Sequence, residues 1–148
     1  MDIELPLDFK EFLKLLNEKA VRYLLIGGYA VGYHGYPTAT NDMDVWIAVH
    51  RENAERVVDA LREFGFDLPE LRPELFLNVK SIVRMGTPPM RLEITTGISG
   101  VEFDKCYESR VIDMLDGNQV DIIDLKHLKI NKKASGRLKD LADLEYLP

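Results

Sequence analysis

Two aspartates spaced two residues apart, Asp42 and Asp44, open the apolar run D-M-D-V-W-I-A-V, and a glycine pair, Gly27-Gly28, closes the apolar run Y-L-L-I upstream of it. In an extended strand successive side chains alternate faces, so the two carboxylates share a face with Cα atoms about 7 Å apart and can reach one metal site. Carboxylate oxygens suit a hard divalent cation. The glycines allow backbone N–H groups to approach an anion at the start of a helix, where the dipole favours negative charge. Together the two halves describe a site for a metal-bound nucleoside triphosphate. The same alternation applied to R-L-E-I-T-T puts Leu92 and Ile94 toward the core and Arg91, Glu93 and Thr95 on the other side, so Glu93 is the candidate third carboxylate from a neighbouring strand. Three carboxylates suit two metal ions that align a triphosphate and lower the pKa of an attacking hydroxyl. An isolated D-x-D is more often a solvated pair on an edge strand. Beside Val45, Trp46 and Ile47 such a pair is costly to bury without partners, and the glycine pair supplies the anion site that a metal–phosphate complex needs.

The elements that must position these residues follow from periodicity. Phe9, Phe12, Leu13, Leu16 and Ala20 have helical spacing over Asp8 to Ala20, with Asp8 and Glu11 as a capping box. Arg22 to Ile26 reads as a short buried strand ending at the glycines. Tyr29 to His34 reads as a short helix closed by Gly35, and Asp42 to Val49 as the aspartate strand. A further helix is expected over Glu52 to Phe64, with Gly65 at its end, followed by a loop from Phe66 to Leu75. Leu77 to Met85 and Met90 to Thr96 flank the turn G-T-P-P as an antiparallel pair, and Arg110 to Leu115 with Gln119 to Ile123 flank D-G-N as a second. Leu125 to Leu147 reads as two helices broken near Ser135-Gly136. The expected class is α+β (α/β): a small mixed sheet with helices packed on it and a helical C-terminus.

With 148 residues and 46% hydrophobic side chains, the chain has the means to bury one core, so residues 1–148 are expected to form a single domain. The formal net charge of −6 speaks against a broad non-specific grip on nucleic acid and leaves a local basic surface open. That surface is found near the end, where Lys126, Lys129, Lys132, Lys133, Arg137 and Lys139 cluster. A single cysteine, Cys106, excludes an internal disulfide and fits a reducing compartment. No apolar run approaches the roughly 18 residues of a membrane span, and the start M-D-I-E lacks the basic residues of a secretion signal. The expectation is a cytoplasmic protein without membrane contact. His34, His50 and His127 have no zinc-ligand spacing with one another or with Cys106.

The string G-G-Y-A-V-x-Y-H-G-x-P-x-x-T-x-D-x-D resembles the signature of the nucleotidyltransferase superfamily related to DNA polymerase beta, in its small stand-alone form. R-L-E-I-T-T-G-I-S-G-V-E-F-D and the terminal D-L-K-H-L-K-I-N-K-K-A-S-G-R-L-K-D-L-A-D-L resemble later blocks of the DUF6036 and AbiEii-like nucleotidyltransferases, some of which are toxins of toxin–antitoxin pairs. The resemblance runs from about Tyr23 to Leu147, apart from the loop at Phe66 to Leu75. It implies the nucleotidyltransferase fold, with Gly27 and Gly28 on the triphosphate, Asp42 and Asp44 on two Mg²⁺ ions, and Glu93 as the carboxylate that activates the acceptor. The family more often has Asp at that last position, and Glu is one methylene longer. Lys132, Arg137 and Lys139 match basic positions of the family, and Asp140 the acidic residue that follows.

The first functional expectation is therefore Mg²⁺-dependent transfer of a nucleoside monophosphate from an NTP to an acceptor hydroxyl, with release of pyrophosphate. RNA, a protein side chain and a small hydroxylated molecule all remain open as acceptor, with the basic helix favouring RNA or protein, and a toxin or antitoxin partner is implied by the resemblance alone. Thr40 is placed to orient the aspartate loop and joins the nucleotide-binding set with Lys132, Arg137 and Lys139. A second expectation is a catalytically weak or inactive module of the same fold that binds an NTP or a partner protein. A third, a nucleotide-sugar glycosyltransferase using D-M-D as its metal motif, leaves the glycine pair without a purpose. One tyrosine among Tyr29, Tyr33 and Tyr36 could stack a base, although packing is the commoner role. His34 is expected to be hydrogen-bonded at a helix end, Cys106 to be a small apolar residue under the hairpin, and Trp46 to be core or pocket wall.

Overall fold

The computed structural model describes residues 3–87 and 89–148, so Met1, Asp2 and Pro88 of the expected G-T-P-P turn lie outside the described residues. Phe9, Phe12, Leu13 and Leu16 sit on one face of helix α1 (Leu7–Glu18) and are fully buried. The helix enters from Pro6, and no side chain caps it, so the expected capping box is not formed. Proline holds the entry angle because its φ is already near the helical value, and Asp8 falls in the first turn instead, where its charge still suits the dipole. Strand β1 (Tyr23–Ile26) is buried along its whole length and runs directly into α2 (Gly27–Tyr33). The glycine pair thus forms the first turn of α2, two residues earlier than expected from Tyr29.

Strand β2 (Asp42–Ile47) follows, then α3 (Arg51–Phe64), which ends on Gly65 at φ 127°. Asn53, in the first turn of α3, is completely buried. It accepts from the N–H of Arg22 at 2.8 Å and donates to the carbonyls of Arg22 and Ala48 at 3.1 and 2.9 Å, tying the start of β1 and the end of β2 to that helix. The expected loop from Phe66 contains a short 3-10 turn, Pro73–Phe76, that sends Phe76 into the core.

Strands β3 (Ile82–Met85) and β4 (Arg91–Thr95) make the expected antiparallel pair, with Arg84 opposite Glu93. β3 is shorter than the expected Leu77 to Met85, because the chain turns through Lys80 at φ 61° before it can join the sheet. Helix α4 (Phe103–Glu108) has no counterpart in the sequence reading, since six residues are too few to show a helical period. β5 (Val111–Leu115) and β6 (Asn118–Ile122) form a hairpin whose turn residues Asp116 and Gly117 both have positive φ, as a two-residue turn requires. Helix α5 (Leu125–Ser135) stops at Gly136, φ 65°, and α6 (Leu138–Tyr146) ends the chain.

The sheet has the order β3-β4-β2-β1-β6-β5. β1 is antiparallel to β2 and parallel to β6, and β2 is parallel to β4. This is the mixed α/β architecture expected from the sequence. One face of β2 and β4 sends Met43, Val45, Ile47, Leu92 and Ile94 into the core shared with α1 and α3. The opposite face carries Asp42, Asp44 and Glu93, and further along the same strand Trp46 is buried against the ring of Phe103 on α4, 5.1 Å away edge to face. No helix among the described residues is long and apolar enough to cross a membrane.

Candidate active site

The parallel register of β2 with β4 puts Asp44 directly opposite Glu93, and Asp42 opposite Arg91. The parity argument from sequence holds, because the two aspartates and Glu93 share one face, all half-buried among fully buried neighbours. Asp44 and Glu93 are in hydrogen-bonding contact. Burial, the bond to Glu93 and the charges of Glu93 and Asp42 push the Asp44 carboxyl up to about 8. The bond from Asp44, helped by that from Arg84, holds Glu93 below the usual carboxylate range. The pair therefore shares a proton, as two like charges at close quarters must.

Arginines hold the other carboxylate oxygens. Arg91 donates Nε to Oδ1 of Asp42 at 3.1 Å and Nη2 to Oδ2 at 2.7 Å, a two-pronged clasp, and Arg84 donates Nε to Glu93 at 2.8 Å. Arg84 is put across from Glu93 only by the hairpin register, but the place of Arg91 on the carboxylate face, given by alternation, was legible in the sequence. Which carboxylate each would choose was not. Among the described residues no three His, Cys, Asp or Glu side chains are gathered to close on one ion. Asp44 and Glu93 converge, and Asp42 is turned to Arg91.

The glycines approach this face closely. Gly27 has φ 70°, and a Cβ there would overlap Asp44 Oδ2 and stand 2.8 Å from its Cγ, so only glycine fits. A Cβ on Gly28 would stand 3.0 Å from Thr40 Cβ. The Thr40 hydroxyl donates to the Asp42 carbonyl at 3.1 Å and accepts from the Asp42 N–H at 3.4 Å, which fixes the entry to β2 as the sequence suggested. The first-turn N–H groups of α2 have no partner within the helix. With seven residues, α2 carries little dipole, so side-chain cations must supply most of the attraction for phosphate.

The cationic wall comes from α5 and α6. Lys139 lies at the cleft near Asp44 and makes no ion pair among the described residues. Arg137 is largely exposed and donates Nε to Asp140 at 2.8 Å. Lys132, expected to face the triphosphate, borders the cleft but is buried, with Nζ 2.9 Å from Asp140 and 3.2 Å from Asp143. Burial opposes ionisation of Asp140, but bonds from Ser135, Lys132 and Arg137 outweigh it and bring its pKa to about 2. Helix α6 thus turns its aspartates inward and leaves Leu138 and Tyr146 exposed.

These residues enclose two adjoining lobes. A lobe of about 250 Å³ lies between Gly27, Gly28, Thr40, Asp42 and Lys139, and one of about 410 Å³ lies between Ile82, Arg84, Gly97, Ser99 and Asn131. Both are bordered by Asp44, Glu93, Lys132 and Arg137, so the carboxylates stand at the partition. The second lobe was not foreseen, since its walls come from five separate segments. A comparable cavity of about 430 Å³ at Val101, Lys105 and His127 shares none of these residues. Ser109, His127 and Asp124 meet beside it, but Ser109 and Asp124 both bond the same ring nitrogen, Nδ1, so the imidazole cannot pass a proton between them. Asp124 is instead the N-cap of α5.

Other expectations are met in ordinary ways. His34 Nε2 is 2.7 Å from the carbonyl of Ile123. Cys106 is fully buried and its thiol is pushed up to about 12 by that burial, so it is a packing residue. Tyr36 stacks on Tyr146, and Tyr29 packs edge to face on Phe9.

No family model matches the chain, and no curated protein matches it. Among solved structures the fold is similar to that of TM1012 from Thermotoga maritima, a protein provisionally named a nucleotidyltransferase. The TM-score is 0.55 at 13% identity, covering 93% of this chain and 86% of that one.

Proposed function

We propose that this chain is a nucleotidyltransferase that moves a nucleoside monophosphate from a nucleoside triphosphate to an acceptor hydroxyl. The observation that carries the reading is the register of β2 on β4, which brings Asp44 against Glu93 on the face that Gly27 and Gly28 approach. The likeness to TM1012 supports the fold on which such a site is built. The donor set fits Mg²⁺, because it consists of hard carboxylate oxygens and because Asp44 and Glu93 already converge at one point, where a cation would take the place of the proton they share. Asp44 and Glu93 would hold it, joined by Asp42 once Arg91 releases that carboxylate. Bound there, Mg²⁺ would neutralise the triphosphate and favour the ionised acceptor.

The remaining work falls to this chain. Backbone N–H groups of Gly27 and Gly28, with Lys139 and Arg137, bind and orient the phosphates in the smaller lobe. The acceptor enters from the larger lobe beside Glu93. Its hydroxyl oxygen attacks the α-phosphorus, the bond from that phosphorus to the bridging oxygen breaks, pyrophosphate leaves, and the hydroxyl proton passes to Glu93. The cations at the mouth of the larger lobe, Arg84 and Arg137, favour an acceptor with phosphate or carboxylate near its hydroxyl, such as an RNA end or an acidic protein segment.

Incubation with each labelled NTP and with total RNA and protein tests this. Label is expected on one acceptor class, and Asp42→Ala and Asp44→Asn are each expected to reduce transfer at least about a hundredfold while the protein stays folded. Near wild-type transfer by either variant would sink the scheme. A second reading, a binding module without turnover, is favoured by the arginines that already neutralise Asp42 and Glu93. Binding of Mg·NTP with no label transferred would select it.

A further inference from the structure

Asp42 is the one carboxylate of the three whose two oxygens are both taken by a single guanidinium. Arg91 is held to that task from two sides. Its backbone pairs with Asp42 in the parallel register, and Nη2 also lies 3.7 Å from Glu93, so the cation sits between the carboxylates at one end of the strand pair. The side chain is only about one-third exposed (35%), and Asp42 less (25%), so the pair is partly shielded from water. A divalent cation reaching Asp42 must loosen this clasp and accept a positive neighbour. A cation arriving with a triphosphate brings anionic oxygens to which the freed guanidinium can turn, and its fork of donors matches phosphate as well as carboxylate.

We propose that Arg91 is a positioning residue that keeps Asp42 from binding metal until a triphosphate arrives, so that cation and nucleotide enter together. The inference rests on the nucleotidyl-transfer reading and adds the order in which its site assembles. Asp44 and Glu93 already converge, and guanidinium groups hold Glu93 through Oε1 alone, so these two form the part of the site that a cation reaches first in the nucleotide-free protein. Asp42 joins when Arg91 exchanges its carboxylate partner for phosphate oxygens. The protein then avoids filling its complete metal site without substrate.

The test is calorimetric titration of the full chain with Mn²⁺ alone, and with Mn²⁺ plus an α,β-methylene nucleoside triphosphate, in wild type, Arg91→Ala and Arg91→Lys. Removing a two-pronged, charge-assisted contact is expected to tighten Mn²⁺ binding in Arg91→Ala about tenfold when no nucleotide is present. With the analogue present the advantage is expected to vanish or reverse, because the variant has lost a phosphate partner. Arg91→Lys, which cannot clasp both oxygens, is expected to fall between them and serves if the alanine variant does not fold. Equal or weaker Mn²⁺ binding by the variants in the absence of nucleotide, with the analogue complex still bound, would overturn the role of Arg91 and leave the transfer reading standing. Failure of wild type to bind the Mn²⁺–analogue complex at all would remove the transfer reading and this inference with it.

Discussion

Gly27→Ala should be far more damaging than its size suggests. At φ 70° an L-residue in the left-handed region costs about 1–2 kcal/mol relative to glycine. The new methyl would also overlap Asp44 Oδ2 and lie 2.8 and 2.9 Å from Asp44 Cγ and Cβ. Rotation of the Asp44 side chain can move the oxygen but not Cβ, and the strand cannot retreat, because Asp44 pairs with Ile26 on one side and Glu93 on the other. Overpacking of this kind costs about 1–3 kcal/mol. The sum, about 3 kcal/mol, corresponds to a fall in Tm of about 6–12 °C for a chain of this size. Urea and thermal unfolding in EDTA measure it, with Gly28→Ala as the control. Gly28 has ordinary φ, and its added Cβ would meet Thr40 at 3.0–3.2 Å, so a loss of about 1 kcal/mol is expected there. Combining Gly27→Ala with Asp44→Ala removes two of the three crowded atoms, so the double variant should be about 1 kcal/mol better than the sum of the singles. A Gly27→Ala protein within about 0.5 kcal/mol of wild type, or one less affected than Gly28→Ala, would refute the close approach of Gly27 to Asp44.

The raised pKa of Asp44 means that the folded protein holds a proton that the unfolded chain releases near its ordinary value of 3.8, so its contribution to stability is full below that value and is lost as pH rises through about 8. Urea midpoints of metal-free protein should therefore decline from pH 5 to pH 8.5 more steeply in wild type than in Asp44→Asn, and identical profiles would contradict the shared proton. Glu93 is shifted the other way, so its effect lies at lower pH, outside that window. Lys132→Ala leaves Asp140 and Asp143 buried without their shared cation, and a loss of about 3–5 kcal/mol is expected by urea titration; a loss under 1 kcal/mol would show that the two carboxylates are solvated. Asn53→Ala removes the partner of the Arg22 N–H and of the buried Ala48 carbonyl, and one of two partners of the Arg22 carbonyl, and should cost about 2–4 kcal/mol by the same assay, while a neutral result would mean that water replaces the amide.

What was legible in the sequence was local. Helical spacing marked α1 and α3, since a helix buries a stripe whatever it packs against, and glycines marked the ends of α3 and α5 because those positions require φ values that other residues resist. Alternation was enough to give Asp42, Asp44 and Glu93 a common parity, because parity within a strand is set by backbone geometry alone. It could not bring Asp44 and Glu93 together. That contact depends on β2 lying parallel beside β4 in one register, a choice made by the core packing of Met43, Val45, Leu92 and Ile94. The partners of the charges were equally undetermined. Composition showed six cations near the end of the chain, but burial of Lys132 between Asp140 and Asp143, and the reach of Arg91 to Asp42 across the sheet, follow from competition among side chains that only the folded chain brings within 4 Å. The sequence therefore determined which residues could do the chemistry and on which face they stand. The tertiary structure decided which of them meet, and which are held by other charges, because electrostatic pairing falls off over a few ångströms while the residues concerned are up to 49 positions apart.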